Sequence, residues 1–179
     1  ILAEAQGFGA EAVMTSPECR SGTDRVARAL DGRPADAVIN VQGDQAVLDL
    51  AALTEVARAL RQGCPMVTLA VPALPEEYED PNCVKVVCSR DGHALYFSRS
   101  RIPYPRGNTG VGVLKHIGIY GFSRDTLERF TSLEPSPLEA EESLEQLRAL
   151  ENGIPIRVIP ASGKFLEINT PEDRERVLK

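Results

Sequence analysis

The strongest constraint on the fold lies at residues 37–44, where an apolar run (37–41) stops at Gln42-Gly43-Asp44. A run of that length, polar only at Asn40, is the mark of a strand buried on both faces, as in a helix-covered parallel sheet. The Gly-Asp pair lets the backbone turn sharply at the strand's carboxyl end. It carries a carboxylate to the edge where open α/β sheets bind ligands. A chain built this way is α/β, and Asp44 is its first candidate functional residue.

The remaining pattern agrees. Residues 10–14 and 66–71 read as further strands, and Ser21-Gly22-Thr23-Asp24 opens a helix with Val26, Ala29 and Leu30 on one face. Residues 49–61 place Leu50, Leu53, Val56, Ala57 and Leu60 at helical spacings of three and four. Strand-like stretches at 84–87 and 94–98 flank Arg90-Asp91-Gly92, a hairpin signal because Asp-Gly accepts positive φ. A strand at 117–122, helices at 124–130 and 138–150, and a strand at 156–159 follow. Thr170-Pro171-Glu172-Asp173 opens a last helix with a cap, a proline at the first position and acids facing the positive end of the dipole. No repeat or linker interrupts this order, which predicts one domain over residues 1–179 with a mostly parallel sheet and an inserted hairpin.

Charge and composition exclude several classes. A net charge of −6 over 179 residues argues against a general nucleic-acid binder, which needs a basic surface. No apolar stretch approaches the ~20 residues of a membrane span. Cys19, Cys64, Cys83 and Cys88 form no CxxC pair and have no histidines at zinc-ligand spacing, so they read as reduced thiols of a cytoplasmic protein. No signal peptide is evident, and no GxGxxG, GxxxxGK[ST] or GxSxG motif occurs. The opening ILAEAQGFG reads as a helix tail closed by Gly7 or Gly9, as if the chain began inside a domain.

Several residues could carry chemistry, each with a plain structural alternative. Asp44 suits Mg²⁺ held jointly with substrate phosphates, or is a solvated turn aspartate. Ser21, Gly22 and Arg25 sit at a helix start that favours an anion, or simply cap it. Arg99, Arg101 and Arg106 offer forks for carboxylate or phosphate, or form a solvated basic turn. His116, beside Lys115, could donate to a ligand oxygen or be structural; His93 reads as structural. Glu139 and Glu142 share one helical face and Glu141 and Glu145 another, with solvated glutamates the default.

Taken together, the stretches SGTDRV (21–26), VINVQGD (38–44), TLAVP (68–72), NCVKVV (82–87), ALYFSRSRIPYPR (94–106), KHIGIYGF (115–122), SPLEAEESLEQLRALENG (136–153) and INTPEDRERV (168–177) resemble the 3-deoxy-manno-octulosonate cytidylyltransferase (CMP-KDO synthetase) family. The resemblance implies a nucleotide-diphospho-sugar transferase, Rossmann-like α/β fold with a mostly parallel mixed sheet and helices on both faces. It implies Mg²⁺ dependence, a homodimer, and attack of the sugar's anomeric hydroxyl on the α-phosphate of CTP for lipopolysaccharide biosynthesis. No nucleic-acid or membrane partner is expected. Carried over by position, Asp44 is the metal ligand, Ser21, Gly22 and Arg25 lie at the cytidine, and Gln42, Arg99, His116, Tyr120, Glu139 and Glu142 surround the sugar.

Three departures stand out. The family's opening strand and its basic triphosphate loop would precede Ile1. Asn169 stands where the family has its second metal-binding aspartate, and the family's Gly-Asp-Glu-Pro reads Gly-Asp-Gln-Ala at 43–46. The 106–114 loop also looks short. Two other readings are therefore carried: a cytidylyltransferase for another acid sugar, such as an amino-substituted octulosonate or a sialic acid, and a nucleotide- or sugar-binding relative without turnover.

Overall fold

The structure, a computed structural model, describes residues 1–107, 110–168, 174, 175, 177 and 178. Elements follow in the order α1 (Leu2–Gly7), α2 (Gly22–Ala29), β1 (Ala37–Asn40), β2 (Gln45–Val47), α3 (Leu50–Arg61), β3 (Met66–Pro72), β4 (Lys85–Cys88), β5 (Ala94–Ser98), β6 (Leu114–Ser123), α4 (Arg124–Ser132), α5 (Pro137–Glu142), α6 (Gln146–Glu151), β7 (Ile156–Pro160) and β8 (Leu166–Glu167). Asp49 caps α3 through its side chain, and Ser123 caps α4. The expected last helix opens at residues 170–173, which lie outside the described residues.

The main sheet runs β5-β4-β6-β3-β7, with β1 also paired to β6. Its direction corrects one expectation. Among the described residues only β3 and β7 pair in parallel, whereas β6 is antiparallel to β1, β3 and β4, and β4 is antiparallel to β5. The sheet is mixed and, among the described pairs, mostly antiparallel. Helices cover both faces, so β3 carries the same largely apolar run, polar only at Thr68, that a parallel strand would. Apolar patterning records burial, not direction.

Alternation along β3 and β6 separates two cores. Met66, Ala70, Tyr120 and Phe122 face α4 and α6 through Leu127, Phe130 and Leu147. Val67, Leu69, Ile117 and Ile119 face α3 through Ala52, Val56 and Leu60. Gly121 lets α3 approach closely, since a Cβ there would stand 2.7 Å from Val56 Cγ1.

Three local expectations are also corrected. Residues 10–14 form no strand, because among the described residues no strand offers them a ladder. β1 is partly exposed rather than buried on both faces, since β6 is its one described neighbour in the sheet. The helix at 138–150 is broken into α5 and α6 by Ser143, a non-glycine residue at φ 51°. The carbonyls of Glu142 and Ser143 are engaged by the Arg99 guanidinium, and Leu144 turns into the core. The hairpin at Asp91-Gly92 forms as read. No described helix is long and apolar enough to cross a membrane.

Candidate active site

The site follows from how β6 is shared. Along one edge β6 pairs with β1 from Ser123 to Tyr120 and with β4 at Lys115 and Leu114. β1 and β4 thus lie end to end, and the ladder is open across 117–119. On the other edge β6 bulges, because Thr68 opposes Tyr120 while Leu69 opposes Ile117. The gap between the end of β1 and the start of β4 lies at a cleft of about 750 Å³. Gln42, Asp44, Arg99, His116 and Tyr120 line it, so the structure brings together five of the residues named from sequence.

Asp44 stands at the mouth of the turn after β1. Its backbone carbonyl accepts from Ile168 N–H at 2.8 Å, beside the ladder of β2 with β8. Gln45 fastens that ladder by donating its amide to Val47 O and Leu166 O at 3.1 and 3.3 Å. A glutamate could not make those two donations, so Gln45 is explained by backbone rather than by a ligand. The ladder carries Glu167 into the same cleft. Asn169 lies outside the described residues.

His116 is buried, with Nε2 2.9 Å from Thr68 Oγ1. The Thr68 hydroxyl also faces Ile119 O at 2.8 Å and Ile117 O at 3.2 Å, the carbonyls freed by the bulge. One hydroxyl proton serves a carbonyl, so the ring must donate from Nε2 and keep Nδ1 as an acceptor. This refines the sequence reading, in which His116 donates to a ligand. Burial pushes its pKa down to about 3, leaving the ring neutral near pH 7. Tyr120 stacks against it at 5.4 Å between centroids, and burial holds the phenol well above its ordinary pKa.

The depressed pKa has a consequence for stability. Between pH 6.5 and about 3 the unfolded chain binds a proton at His116 that the folded chain refuses. Its contribution is complete above pH 6.5 and falls with pH by up to about 1.4 kcal/mol per unit. The acid-side loss of urea resistance from pH 7 to 4.5 is expected to be smaller in His116→Gln than in the parent. Equal slopes would contradict a buried neutral ring.

Arg99 departs from its expected use as a free fork. Its guanidinium donates to Glu142 O at 2.8 Å, Pro81 O at 2.9 Å and Ser143 O at 3.3 Å, leaving two of its five N–H groups. Glu142 does not line the cleft; its carboxylate accepts from Ser98 Oγ at 2.6 Å and Arg99 N at 2.9 Å. Glu139 is also outside it, held by Ser136 N at 3.0 Å and by the buried guanidinium of Arg148. Burial opposes its ionisation, but Arg148 and the Ser136 N–H outweigh this and hold its pKa below the usual range. Ser21 caps α2 in a reciprocal box with Asp24, and Arg25 donates to Thr15 and Ser16. Neither lines the cleft, nor does Gly22; Ser21 touches it indirectly by donating to Glu145 at 3.2 Å.

Glu145, which the sequence offers only as a solvated glutamate of a helical face, and Gln146, which it does not single out, both line the cleft. The break at Ser143 turns both into the wall. Burial raises the Glu145 pKa, and the buried Gln146 amide nitrogen has no partner among the described residues. A buried donor without a partner is costly and points to a ligand acceptor. A polar residue at 146 inside an otherwise apolar helical face was the available signal.

The Cytidylyltransferase family model matches residues 1–159. A 3-deoxy-manno-octulosonate cytidylyltransferase from Synechococcus elongatus is 48% identical over 181 residues, covering 98% of this chain and 74% of that protein. The solved structure of a CMP:2-keto-3-deoxy-manno-octonic acid synthetase complexed with CTP superposes with a TM-score of 0.91 at 38% identity, covering 98% of this chain and 73% of that one. HddC from Yersinia pseudotuberculosis, at 13% identity and a TM-score of 0.62 over 98% of this chain and 70% of its own, shares the fold alone. The fold is that of the nucleotide-diphospho-sugar transferases. By its match to the family model and its identity to these relatives, the chain belongs to the 3-deoxy-manno-octulosonate cytidylyltransferases.

Proposed function

We propose that this cleft transfers CMP from CTP to the anomeric hydroxyl of 3-deoxy-manno-octulosonate. The hydroxyl oxygen bonds to the α-phosphorus, the α–β bridging bond breaks, and pyrophosphate leaves. The observation that carries this reading is the convergence of Asp44, Gln42, Arg99, His116 and Tyr120 on one cleft in a chain of this family. The remaining Arg99 N–H groups suit the sugar carboxylate. His116 Nδ1 suits a sugar hydroxyl, and Gln146 supplies an amide donor beside it. Catalysis is then mainly positioning and neutralisation of charge around the α-phosphate.

Mg²⁺ fits the donors present. Asp44 and Glu167 bring hard carboxylate oxygens to the same cleft, the ligand class this ion takes. Substrate phosphates would complete the shell, as this ion commonly takes one or two carboxylates together with phosphate oxygens. When bound, the ion would neutralise charge on the phosphates. Asp44, with Asn169 at the position of the family's second acid, would hold it from the protein side.

Family membership also supports a homodimer, a cytoplasmic location and a product destined for lipopolysaccharide biosynthesis. The test is pyrophosphate release with each component omitted in turn. Release requiring CTP, the octulosonate and Mg²⁺ together is expected. CTP binding without release would instead favour another acid sugar or a relative without turnover.

A further inference from the structure

Lys85 opens β4, and its side chain is fully buried. Its ammonium donates to Asp80 O at 2.8 Å, to Cys83 O at 2.6 Å and to Arg99 O. An ammonium carries three N–H groups, and here three backbone carbonyls receive them. The carbonyls come from two segments far apart in sequence, the turn before β4 and the end of β5. Asp80, Cys83 and Arg99 all line the cleft.

Arg99 extends the connection. Its N–H holds the Glu142 carboxylate, and its guanidinium holds the carbonyls of Glu142 and Ser143, one residue short of Glu145 and Gln146. Lys85 therefore fixes the peptide from which Arg99 reaches the α5–α6 break. A methionine would fill the same space but would leave three carbonyls facing an apolar group. Unpaired buried carbonyls are costly, and the segments bearing them would move to find water. Full burial of a lysine is rare, and packing alone does not call for it.

We propose that Lys85 is a positioning residue for the acid-sugar side of the cleft, acting through Arg99 and the 80–83 turn. It touches no substrate. The proposal rests on the cytidylyltransferase reading above. It goes further by assigning the geometry of the sugar wall to a buried cation outside the cleft's lining.

The test is steady-state kinetics of the parent, Lys85→Met and Lys85→Gln, varying each substrate separately. In Lys85→Met the KM for the octulosonate is expected to rise at least ten-fold, with the KM for CTP within two-fold. Lys85→Gln keeps two N–H donors and is expected to fall between, which also serves if the methionine variant does not accumulate folded. A purely structural role would lower the melting temperature and leave both KM values unchanged, overturning the proposal. Absence of turnover in the parent would remove the cytidylyltransferase reading and this one with it. Turnover with an unchanged sugar KM in both variants would remove only this one.

Discussion

Asp44→Asn is expected to lower kcat for CMP transfer on the order of 10²–10³-fold, the equivalent of several kcal/mol of lost charge stabilisation. The substitution changes charge and little else. Asparagine has the same size and suits a turn, and what ties this turn to the rest of the fold is the Asp44 carbonyl, bonded to Ile168 N–H, not its side chain. Circular dichroism and melting temperature are therefore expected to match the parent, while Mn²⁺ binding, read by electron paramagnetic resonance, weakens. Retained turnover with unchanged Mn²⁺ binding would remove Asp44 from the metal site.

Glu139→Ala is expected to act on stability instead, costing about 3–5 kcal/mol, the range for breaking a buried ion pair from one side. Arg148 is 2% exposed, its charge is paired by Glu139, and one of its terminal nitrogens already lacks a partner among the described residues. Removing the carboxylate leaves a buried guanidinium against the Phe130 ring, 4.9 Å from its centroid. Replacing both partners, as in Glu139→Leu with Arg148→Met, is expected to recover much of the loss. Urea denaturation of the single and double variants measures this. A KM for the sugar that rises in Glu139→Ala without loss of stability would return Glu139 to the sugar site.

These two carboxylates show what the sequence could carry. Asp44 was legible because its position follows from local rules: an apolar strand, a glycine, and a carboxylate at the strand's end. Glu139 and Glu142 carried no such signal. Helical spacing places them together, but α5 turns that pair to Arg148, Ser98 and Arg99, while the break at Ser143 brings Glu145 and Gln146 into the cleft. The carbonyls at that break are held by Arg99, more than forty residues earlier in the chain, a partner beyond any local pattern. Strand direction was hidden for a related reason. Whether β6 runs parallel or antiparallel to β3 is decided by the long connection between them, while their apolar residues report burial alone. The network around Lys85 was equally silent, since a lysine at the start of a strand reads as solvated until three carbonyls are seen around it.

The central claim is that the cleft between β1 and β4 joins CMP to an acid sugar. The direct measurement is a ³¹P NMR time course of the protein with CTP, Mg²⁺ and 3-deoxy-manno-octulosonate. The account requires the CTP signals to give way to equal amounts of one phosphodiester and pyrophosphate, and to persist when the sugar is left out. CTP unchanged in the complete mixture, or CMP in place of the phosphodiester, would contradict it.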